Sequence, residues 1–370
     1  MKEQWTIEQA NEWYSKKPWI VGCNYVPAIT LHAQELWQED THDTVLKEVE
    51  KEMKLMTDIG FNSVRMFMPF WTWYHKRDVF LDRVDSFLNI LDSRGITMCP
   101  VIHNDCLPFL PKPEKIDIPP LPKGWHKYKI GHHGGCEANP FTGEPVKYGW
   151  SMWDFPEWHE TLIQIVVDFL TRFKDDKRII MWDLWNEPGN SNRYEMDNDN
   201  IKRVFEAAWK CDTSQPLTAG CWGYHEAYRE DDDENIYGSQ KVGIELSDVI
   251  SYHFYGNKHD LENITNKLKK YNRPMFNTEW LNRSLDNFVE DNLPLYYENK
   301  IGSYHWGLVA GKSQFNLPWD YLRKDPNIDQ GRWQHDLFDV FGTAYDQKEI
   351  DLIKKYIEKG RKRYGIESGI

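Results

Sequence analysis

One stretch decides the fold: residues 179–188 read IIMWDLWNEP, an apolar run that ends in polar residues. A short apolar run with β-branched and aromatic side chains is typical of a buried strand. Asn186 and Glu187 follow this run directly, at the point where a strand would end. A polar pair in that position indicates a functional edge of a sheet, and similar runs recur along the chain.

Seven further runs of this kind occur, and amphipathic helical patterns separate most of them. They cover residues 19–25, 63–68, 97–103, 217–220, 249–255, 274–280 and 302–309. Alternation of strands and helices predicts a parallel sheet with crossover helices, and eight such steps predict a (β/α)8 TIM barrel. An open, doubly wound sheet is the alternative, but no glycine-rich phosphate turn follows the first run.

The regular alternation stops between the third and fourth runs. Residues 105–156 are rich in proline, glycine and histidine, and loops of this length are usually functional. We interpret them as a large β3–α3 loop insertion in one catalytic barrel domain that covers residues 1–370. A small separate subdomain is the alternative.

The composition favours a carbohydrate ligand. The chain contains 18 Trp, 19 Tyr and 17 Phe, and its formal charge is -13. Such an aromatic content indicates surfaces that stack on flat apolar faces, as sugar rings and nucleic-acid bases present them. Because phosphate binding needs basic patches, the acidic balance argues against nucleic acid. We expect a carbohydrate substrate, and the sequence leaves the oligomeric state open.

The sequence also gives expectations about membrane-spanning segments, disulfide bonds and cellular location. No apolar run is long enough to span a membrane, and the polar N-terminal segment does not resemble a signal peptide. This is expected of a cytoplasmic protein or of the mature form of a secreted or periplasmic one. The six cysteines form no CxxC pair and indicate ordinary thiols. A single disulfide bond is the alternative.

Two carboxylates stand at strand ends on opposite sides of the predicted barrel. Glu187 ends the fourth run and Glu279 lies in the seventh, and barrel active sites lie at the carboxyl ends of the strands. Glycoside hydrolysis needs one protonated and one ionised carboxyl beside the scissile bond. Different environments on two strands would separate the pKa values of the pair. We therefore predict Glu187 and Glu279 as the catalytic residues.

Other strand-end side chains suit supporting roles at the same mouth. Arg65 would hold Glu279 ionised and oriented through a charge-assisted hydrogen bond. Asn186 would bind the sugar 2-hydroxyl, a contact that strengthens in the transition state. Tyr255 would donate to the nucleophile, and Trp306 would form an apolar floor beneath the reacting sugar.

These residues together resemble glycoside hydrolase family 5, the cellulase and β-mannanase family within clan A. The motif is WDLWNEP at residues 182–188, with Arg65, His253-Phe254-Tyr255, Thr278-Glu279-Trp280 and Trp306 following the family order. The resemblance covers about residues 19–315. It implies retaining hydrolysis of a β-glycosidic bond, with carboxyls about 5–5.5 Å apart. It also implies that His253 supports Glu187 and Tyr255 supports Glu279.

The third strand departs from the family pattern. A histidine followed closely by glycine is usual there, whereas this chain reads His103-Asn104-Asp105-Cys106. Either His103 or Asp105 is expected to face the substrate, and we favour His103. Further tryptophans are candidates for sugar stacking: Trp37, Trp71, Trp73, Trp185, Trp222 and Trp280.

Metal binding and other functions are the remaining alternatives. His132, His133 and Cys136 offer ligand atoms, but adjacent histidines point apart in an extended chain and the spacing matches no zinc motif. We therefore expect neither a metal ion nor a cofactor. A transglycosylase would use the same catalytic residues. A catalytically silent carbohydrate-binding barrel is disfavoured by the presence of both glutamates with Asn186 and Arg65.

Overall fold

Eight parallel strands form a single sheet in the computed structural model, which describes residues 3–127, 129–135, 147–223, 236 and 238–365. The strand order is β5-β4-β3-β2-β1-β8-β7-β6, so neighbours in sequence are neighbours in the sheet. The strands are β1 Val21–Asn24, β2 Ser63–Phe67, β3 Thr97–Asn104, β4 Trp182–Asn186, β5 Leu217–Gly220, β6 Ile250–His253, β7 Met275–Trp280 and β8 Gly302–Trp306.

The two outer strands of this order, β5 and β6, meet and nearly close the sheet. Cys221 and Tyr252 form an isolated parallel bridge just beyond β5. The backbone N–H of His253 donates to the carbonyl of Cys221 at 2.7 Å, and the hydroxyls of Thr218 and Ser251 lie 2.8 Å apart. The predicted TIM-barrel fold is therefore confirmed.

Helices follow most strands and cover the outside of the barrel. The helix α2 ends where Gly60 adopts φ +94°, a conformation that glycine tolerates at a helix C-terminus. The helices are α1 Ile7–Ser15, α2 His42–Ile59, α3 Phe70–Asp92, α4 His159–Arg172, α5 Asn198–Lys210, α6 Gly238–Leu246, α7 Lys258–Leu268, α8 Val289–Glu298, α9 Asp320–Arg323 and α10 Gln347–Tyr364.

The apolar core has two parts. The larger part fills the layer between the sheet and the surrounding helices. The smaller part fills the barrel interior below the mouth and includes Cys99, Met181, Phe276 and Tyr304. The helix α1 closes the bottom, since Tyr14 is buried with its ring 4.9 Å from that of Phe276. The bottom is thus sealed, and polar side chains collect at the opposite end.

Among its described residues, the long connection between β3 and α4 contains a four-residue helical turn, His132–Gly135, and two short 3-10 helices, Met152–Asp154 and Pro156–Trp158. This is the segment that the sequence predicted as a loop insertion. That the whole chain forms one catalytic domain stays a prediction. Among the described residues, no helix combines the length and apolar character needed to cross a membrane.

Candidate active site

The carboxyl ends of the strands bring the predicted polar residues together at one mouth. Arg65 comes from β2, Asn186 from β4, His253 from β6 and Glu279 from β7, and all four are buried. Parallel strands of a barrel end on the same side, so residues far apart in sequence converge there. Burial of so many polar groups requires that they satisfy one another.

The guanidinium of Arg65 is the centre of the network, and its side chain is fully buried. Its Nη1 donates to Glu279 Oε1 at 2.8 Å and to Asn24 Oδ1 at 2.7 Å. Its Nε and Nη2 donate to Asp183 Oδ2 at 3.0 and 2.8 Å, and Nη2 also donates to Asn186 Oδ1 at 2.6 Å. One planar cation thereby orients a strand-seven carboxylate and a strand-four amide together.

Glu279 is held as a carboxylate. Burial by itself would raise its pKa, but the charges of His253 and Arg65 and a hydrogen bond from Trp306 outweigh burial and lower the pKa below its ordinary value. The Tyr255 hydroxyl donates to Glu279 Oε2 at 2.9 Å. Burial and the charges of both glutamates raise the pKa of Tyr255 far above its usual range, so Tyr255 remains a donor.

Glu187 lies one residue beyond β4 and adopts a left-handed backbone, with φ +48°. Nδ1 of His253 lies 2.7 Å from Glu187 Oε1, and the amide Nδ2 of Asn190 donates to Oε2 at 2.5 Å. The residue is 9% exposed. It therefore faces the mouth, and its two oxygens contact His253 at the end of β6 and Asn190 in its own loop.

The two glutamates are close neighbours. An oxygen of Glu187, an oxygen of Glu279 and a ring nitrogen of His253 all lie within 4.8 Å of one another. Nδ1 of His253 is 3.4 Å from Glu279 Oε2, so this ring stands between the two carboxylates. Among the described residues, this is the only group of three such side chains with metal-ligand spacing. Of the other metal candidates, Cys136 lies outside the described residues.

The third strand places Asn104, rather than His103 or Asp105, against the catalytic network. Asn104 Oδ1 accepts a hydrogen bond from Asn186 Nδ2 at 2.8 Å. His103 is buried between the rings of Trp153 and Trp185, at 5.2 and 5.1 Å, and burial lowers its pKa to about 3. Among the described residues, no hydrogen bond or ion pair joins His103 to Glu187 or Glu279, so its predicted subsite role gains no support from its position.

Asp105 is also buried, and it serves the loop that carries Glu187. Its Oδ2 accepts from the backbone N–H of Gly189 at 2.8 Å, and its Oδ1 lies 3.7 Å from Nε of Arg193. Burial and the charge of Asp197 raise the pKa of Asp105 well above its ordinary value. Asp105 therefore anchors the connection after β4 instead of facing the mouth.

The tryptophans divide into packing residues and mouth residues. Trp280 is 2% exposed and packs against Tyr296 and His305, with ring distances of 5.2 and 5.9 Å. Trp306 is half-buried at the mouth, with its ring 6.1 Å from and nearly parallel to that of Phe67. Of the other candidates, Trp37, Trp73 and Trp185 are buried, Trp222 is half-buried and Trp71 is exposed.

Four network residues were not singled out by the sequence: Asn24, Asn104, Asp183 and Asn190. Asp183 carried a usable signal, because a carboxylate in the middle of an apolar run must have a buried partner. Asn24 carried one as well, as a polar residue near the end of the first run. Asn190 carried none, because its contact with Glu187 depends on the path of the loop.

A barrel with two facing glutamates at the carboxyl ends of its strands has the architecture of a glycoside-cleaving enzyme. The model of the cellulase family (glycosyl hydrolase family 5) matches residues 22–334, and the chain belongs to this family. It is therefore a glycosidase. No curated protein matches the sequence.

Several solved structures share the fold. The exo-β-1,4-mannosidase Op5Man5 from Opitutaceae bacterium strain TAV5 is 16% identical with TM-score 0.57, over 94% of this chain and 60% of that one. The family 5 mannosidase from Rhizomucor miehei is 15% identical with TM-score 0.55, over 93% of each chain. GH5_18 from Streptomyces cattleya, in complex with GlcNAc, is 12% identical with TM-score 0.56, over 95% and 82%. The first of these is thus a longer protein than the chain described here.

Proposed function

We propose that the protein hydrolyses a β-linked oligo- or polysaccharide with retention of configuration, with Glu279 as nucleophile and Glu187 as general acid/base. The observation that carries this proposal is the spacing of the pair, whose oxygens approach within 4.8 Å. Retaining enzymes hold the two carboxyls about 5–5.5 Å apart, whereas inverting enzymes leave about 6.5–9.5 Å for a water molecule. The short spacing therefore favours direct attack by Glu279.

In the first step, the Glu279 carboxylate attacks the anomeric carbon while Glu187 donates its proton to the leaving oxygen. Arg65 and Tyr255 orient Glu279 through its two oxygens, at 2.8 and 2.9 Å. The carboxylate keeps its charge until attack because its pKa is held below the ordinary value. The products of this step are a glycosyl ester of Glu279 and the departing sugar.

In the second step, Glu187 acts as a base. Having lost its proton, it takes one from a water molecule that attacks the anomeric carbon and releases Glu279. His253 and Asn190 contact the two oxygens of Glu187 and hold it beside the bond throughout. The same carboxyl group thus serves both half-reactions, and the anomeric configuration is inverted twice.

Two residues are placed to bind the reacting sugar. Asn186 accepts from Arg65 and donates one amide hydrogen to Asn104, which leaves its second N–H for the sugar 2-hydroxyl. Trp306 presents a half-buried ring beside Glu279 and supplies an apolar floor. Both contacts would strengthen as the sugar flattens toward the transition state.

The polysaccharide substrate is best sought among β-1,4-linked mannans, glucans and xylans. Proteins of similar fold include an exo-β-1,4-mannosidase, a β-1,4-mannanase and XacCel5A in complex with cellopentaose. This similarity supports β-mannosides and β-glucosides as the first members of a screen. A panel of aryl β-glycosides and the matching polysaccharides would rank them by kcat/KM.

Replacement of the nucleophile gives the sharpest test. Glu279→Ala should lower kcat on an aryl β-glycoside by roughly four orders of magnitude or more, as the loss of a covalent catalyst does elsewhere. Added azide should restore part of the activity and yield the glycosyl azide of inverted configuration. The exposed Glu290 provides a matched control, and Glu290→Ala should behave as the parent enzyme. Unchanged turnover by Glu279→Ala would refute the assignment.

Replacement of the acid/base should separate the two steps. Glu187→Ala should slow cleavage of a sugar leaving group by about 100- to 10,000-fold, the usual contribution of general acid catalysis. A dinitrophenyl glycoside, whose leaving group needs no proton, should still form the glycosyl-enzyme in a rapid burst followed by slow turnover. Equal slowing on both substrates, without a burst, would contradict the proposed role.

The stereochemistry tests retention directly. Proton NMR should show the β-anomer of the product first, with the α-anomer appearing later by mutarotation. An initial α-anomer would overturn the double-displacement proposal. Addition of a sugar acceptor in the same experiment would reveal transglycosylation, which shares both steps and replaces water by the acceptor hydroxyl.

A further inference from the structure

One segment covers nearly half of the rim of the mouth. We define the rim segment as residues 105–135, described except for residue 128. After β3 it runs past the loop that follows β1, where Gln38 Nε2 donates to the Gly124 carbonyl at 3.0 Å and His126 Nδ1 lies 2.9 Å from Glu35 Oε1. In the strand order, β2 and β1 lie between β3 and β8. The rim segment thus passes the ends of both strands.

The rim segment then joins the loop after β8. The backbone N–H of Gly134 donates to the Ser313 carbonyl at 2.7 Å, and Gln314 Nε2 donates to the Lys129 carbonyl at 2.7 Å. Nδ1 of the buried His132 lies 2.9 Å from the carbonyl oxygen of Leu317. One main-chain hydrogen bond and two contacts between a side chain and a carbonyl therefore close the rim between β3 and β8 into a continuous wall.

This junction is tightly packed at Gly134. A Cβ atom there would lie 1.6 Å from Leu31 Cδ1 in the loop after β1, and Gly134 has φ +65°. Only glycine fits this position without displacing the neighbouring loop. The rim segment is thus packed at Gly134 against two loops of the barrel, those after β1 and β8.

The closed wall brings His133 onto the proposed sugar floor. The rings of His133 and Trp306 are 5.7 Å apart in an edge-on arrangement, and Phe315 lies 5.0 Å from each. His133 is exposed at the protein surface, but the packing around its ring and then the charge of His32 lower its pKa to about 4, against the opposite effect of Glu279. The floor is thus bounded by His133 and Phe315 on the wall side.

The walled half is the side that holds the glycone. Glu187 on β4 and Glu279 on β7 divide the mouth into one half with β3, β2, β1 and β8 and another with β5 and β6. In the proposed reaction, the glycone is the sugar that becomes attached to Glu279. Trp306 hydrogen-bonds Glu279 and stacks beside Phe67 of β2, within the walled half. The glycone ring therefore lies over Trp306, and the leaving group departs toward β5 and β6.

We propose that this wall makes the enzyme exo-acting: the walled half holds one terminal sugar at the non-reducing end, and His133 contacts its hydroxyl groups. This inference rests on the proposed function. A longer chain on the glycone side would have to pass through the junction formed by Lys129, Gly134, Ser313 and Gln314. Among the described residues, the rim segment places no such barrier on the leaving-group side.

Product analysis tests the exo action. Tri- to hexasaccharides labelled at the reducing end should lose one sugar at a time, so that the first labelled product is always shorter by one unit. The viscosity of a soluble polysaccharide should fall only slowly while free monosaccharide accumulates. Short labelled products at early times with a rapid loss of viscosity would overturn the exo proposal and leave the proposed hydrolysis intact. Absence of products from every β-glycoside would instead refute the proposed function itself.

A pair of variants on the rim segment tests His133. His133→Ala should lower kcat/KM for an aryl β-glycoside by about tenfold, the effect of one lost hydrogen bond, mainly through KM. Lys129→Ala is the matched control, because it keeps the carbonyl that accepts from Gln314 and its side chain is exposed. Equal kcat/KM for both variants and the parent would overturn the role of His133. Circular dichroism would verify that both are folded.

Discussion

The surroundings of the two glutamates proposed as catalytic residues differ in nearly every respect. Glu279 lies inside strand β7 and contacts Arg65 of β2, across the barrel mouth, and Tyr255 just beyond β6. Glu187 lies beyond the end of β4 with φ +48°, and the residues after it include further positive φ angles at Gly189, Ser191, Asn192 and Tyr194. One carboxylate belongs to the barrel and the other to a constrained loop.

This difference matches what each carboxylate has to do. A nucleophile must stay charged and aligned, and a buried cation on a rigid strand provides both. A general acid/base must gain and lose a proton, so it contacts an amide and an imidazole rather than a guanidinium. The loop that carries Glu187 is therefore fixed from outside, by Asp105 at Gly189 and by Arg193 at Asp154 and Asp197.

The largest effect is expected on the Glu279 side. Arg65→Lys keeps the charge but loses the planar fork that reaches Glu279, Asp183 and Asn186 together. We expect kcat/KM to fall by about 100- to 1,000-fold, the loss typical of a preorganised donor. Because Arg65 helps to lower the pKa of Glu279, the acidic limb of the pH profile of kcat/KM should move to higher pH.

Tyr255→Phe serves as a second variant for this prediction, since it removes a donor to Glu279 without removing a charge. It should reduce kcat/KM less than Arg65→Lys does. Arg172, which forms an exposed ion pair with Asp82, provides the control. Arg172→Lys should leave the pH profile of kcat/KM unchanged. An acidic limb that stays in place in Arg65→Lys would contradict the role of the guanidinium.

The charge of Glu279 should also appear in the stability of the fold. Its pKa in the folded protein lies below the ordinary value of 4.5. The resulting stabilisation is present above about pH 4.5 and is lost as the pH falls through the folded-state pKa. Urea unfolding from pH 3 to 7 should therefore show a steeper acid loss of stability for the parent than for Glu279→Gln. Identical pH dependence for the two would exclude this contribution.

A smaller effect, on the alkaline limb of the pH profile, is expected on the Glu187 side. Asn190→Asp replaces the donor to Glu187 by a second carboxylate and keeps the acceptor for the Ser191 backbone N–H. The general acid should then keep its proton to higher pH. The alkaline limb of the pH profile of kcat/KM should therefore move to higher pH by about one unit. Asn192→Asp, which changes the same loop away from Glu187, is the matched control. A shift of equal size in both variants would show that Asn190 has no specific role.

The smallest effect is expected at the loop anchor. Asp105→Ala leaves the buried N–H of Gly189 without its partner and should lower the free energy of unfolding by about 1–3 kcal/mol. Asp105→Asn should cost less, because the raised pKa of Asp105 favours its neutral form and asparagine keeps an acceptor oxygen. Denaturant unfolding of both variants distinguishes them. Equal losses would show that the charge of Asp105, rather than the hydrogen bond, holds the loop.

The fold was largely predictable because each strand carries its own signal. The eight apolar runs overlap the eight strands, and the barrel follows from their alternation with helices. The network around Glu279 was predictable in outline for the same reason. Arg65 and Glu279 lie within strands, and strand ends in a barrel meet by geometry.

The third strand and the loops were harder to predict, because their side-chain directions depend on local irregularities. The β4 pairing shifts register between Asp183 and Trp185, which places Trp185 and its partner His103 together in the layer outside the barrel. A single such shift moves a side chain to the other face of the sheet. Asn104 therefore reaches the network where His103 was expected.

The sequence by itself determined the barrel, the glycosidase family and the two glutamates, because strand periodicity and strand-end residues are local features of the chain. Only the tertiary structure decided what holds Glu187, which tryptophans are buried, and where the rim segment closes the mouth. These depend on contacts between loops far apart in sequence, such as Gly134 with Ser313 and Asp105 with Gly189. No local pattern encodes such contacts, since the backbone groups that form them are common to all residues.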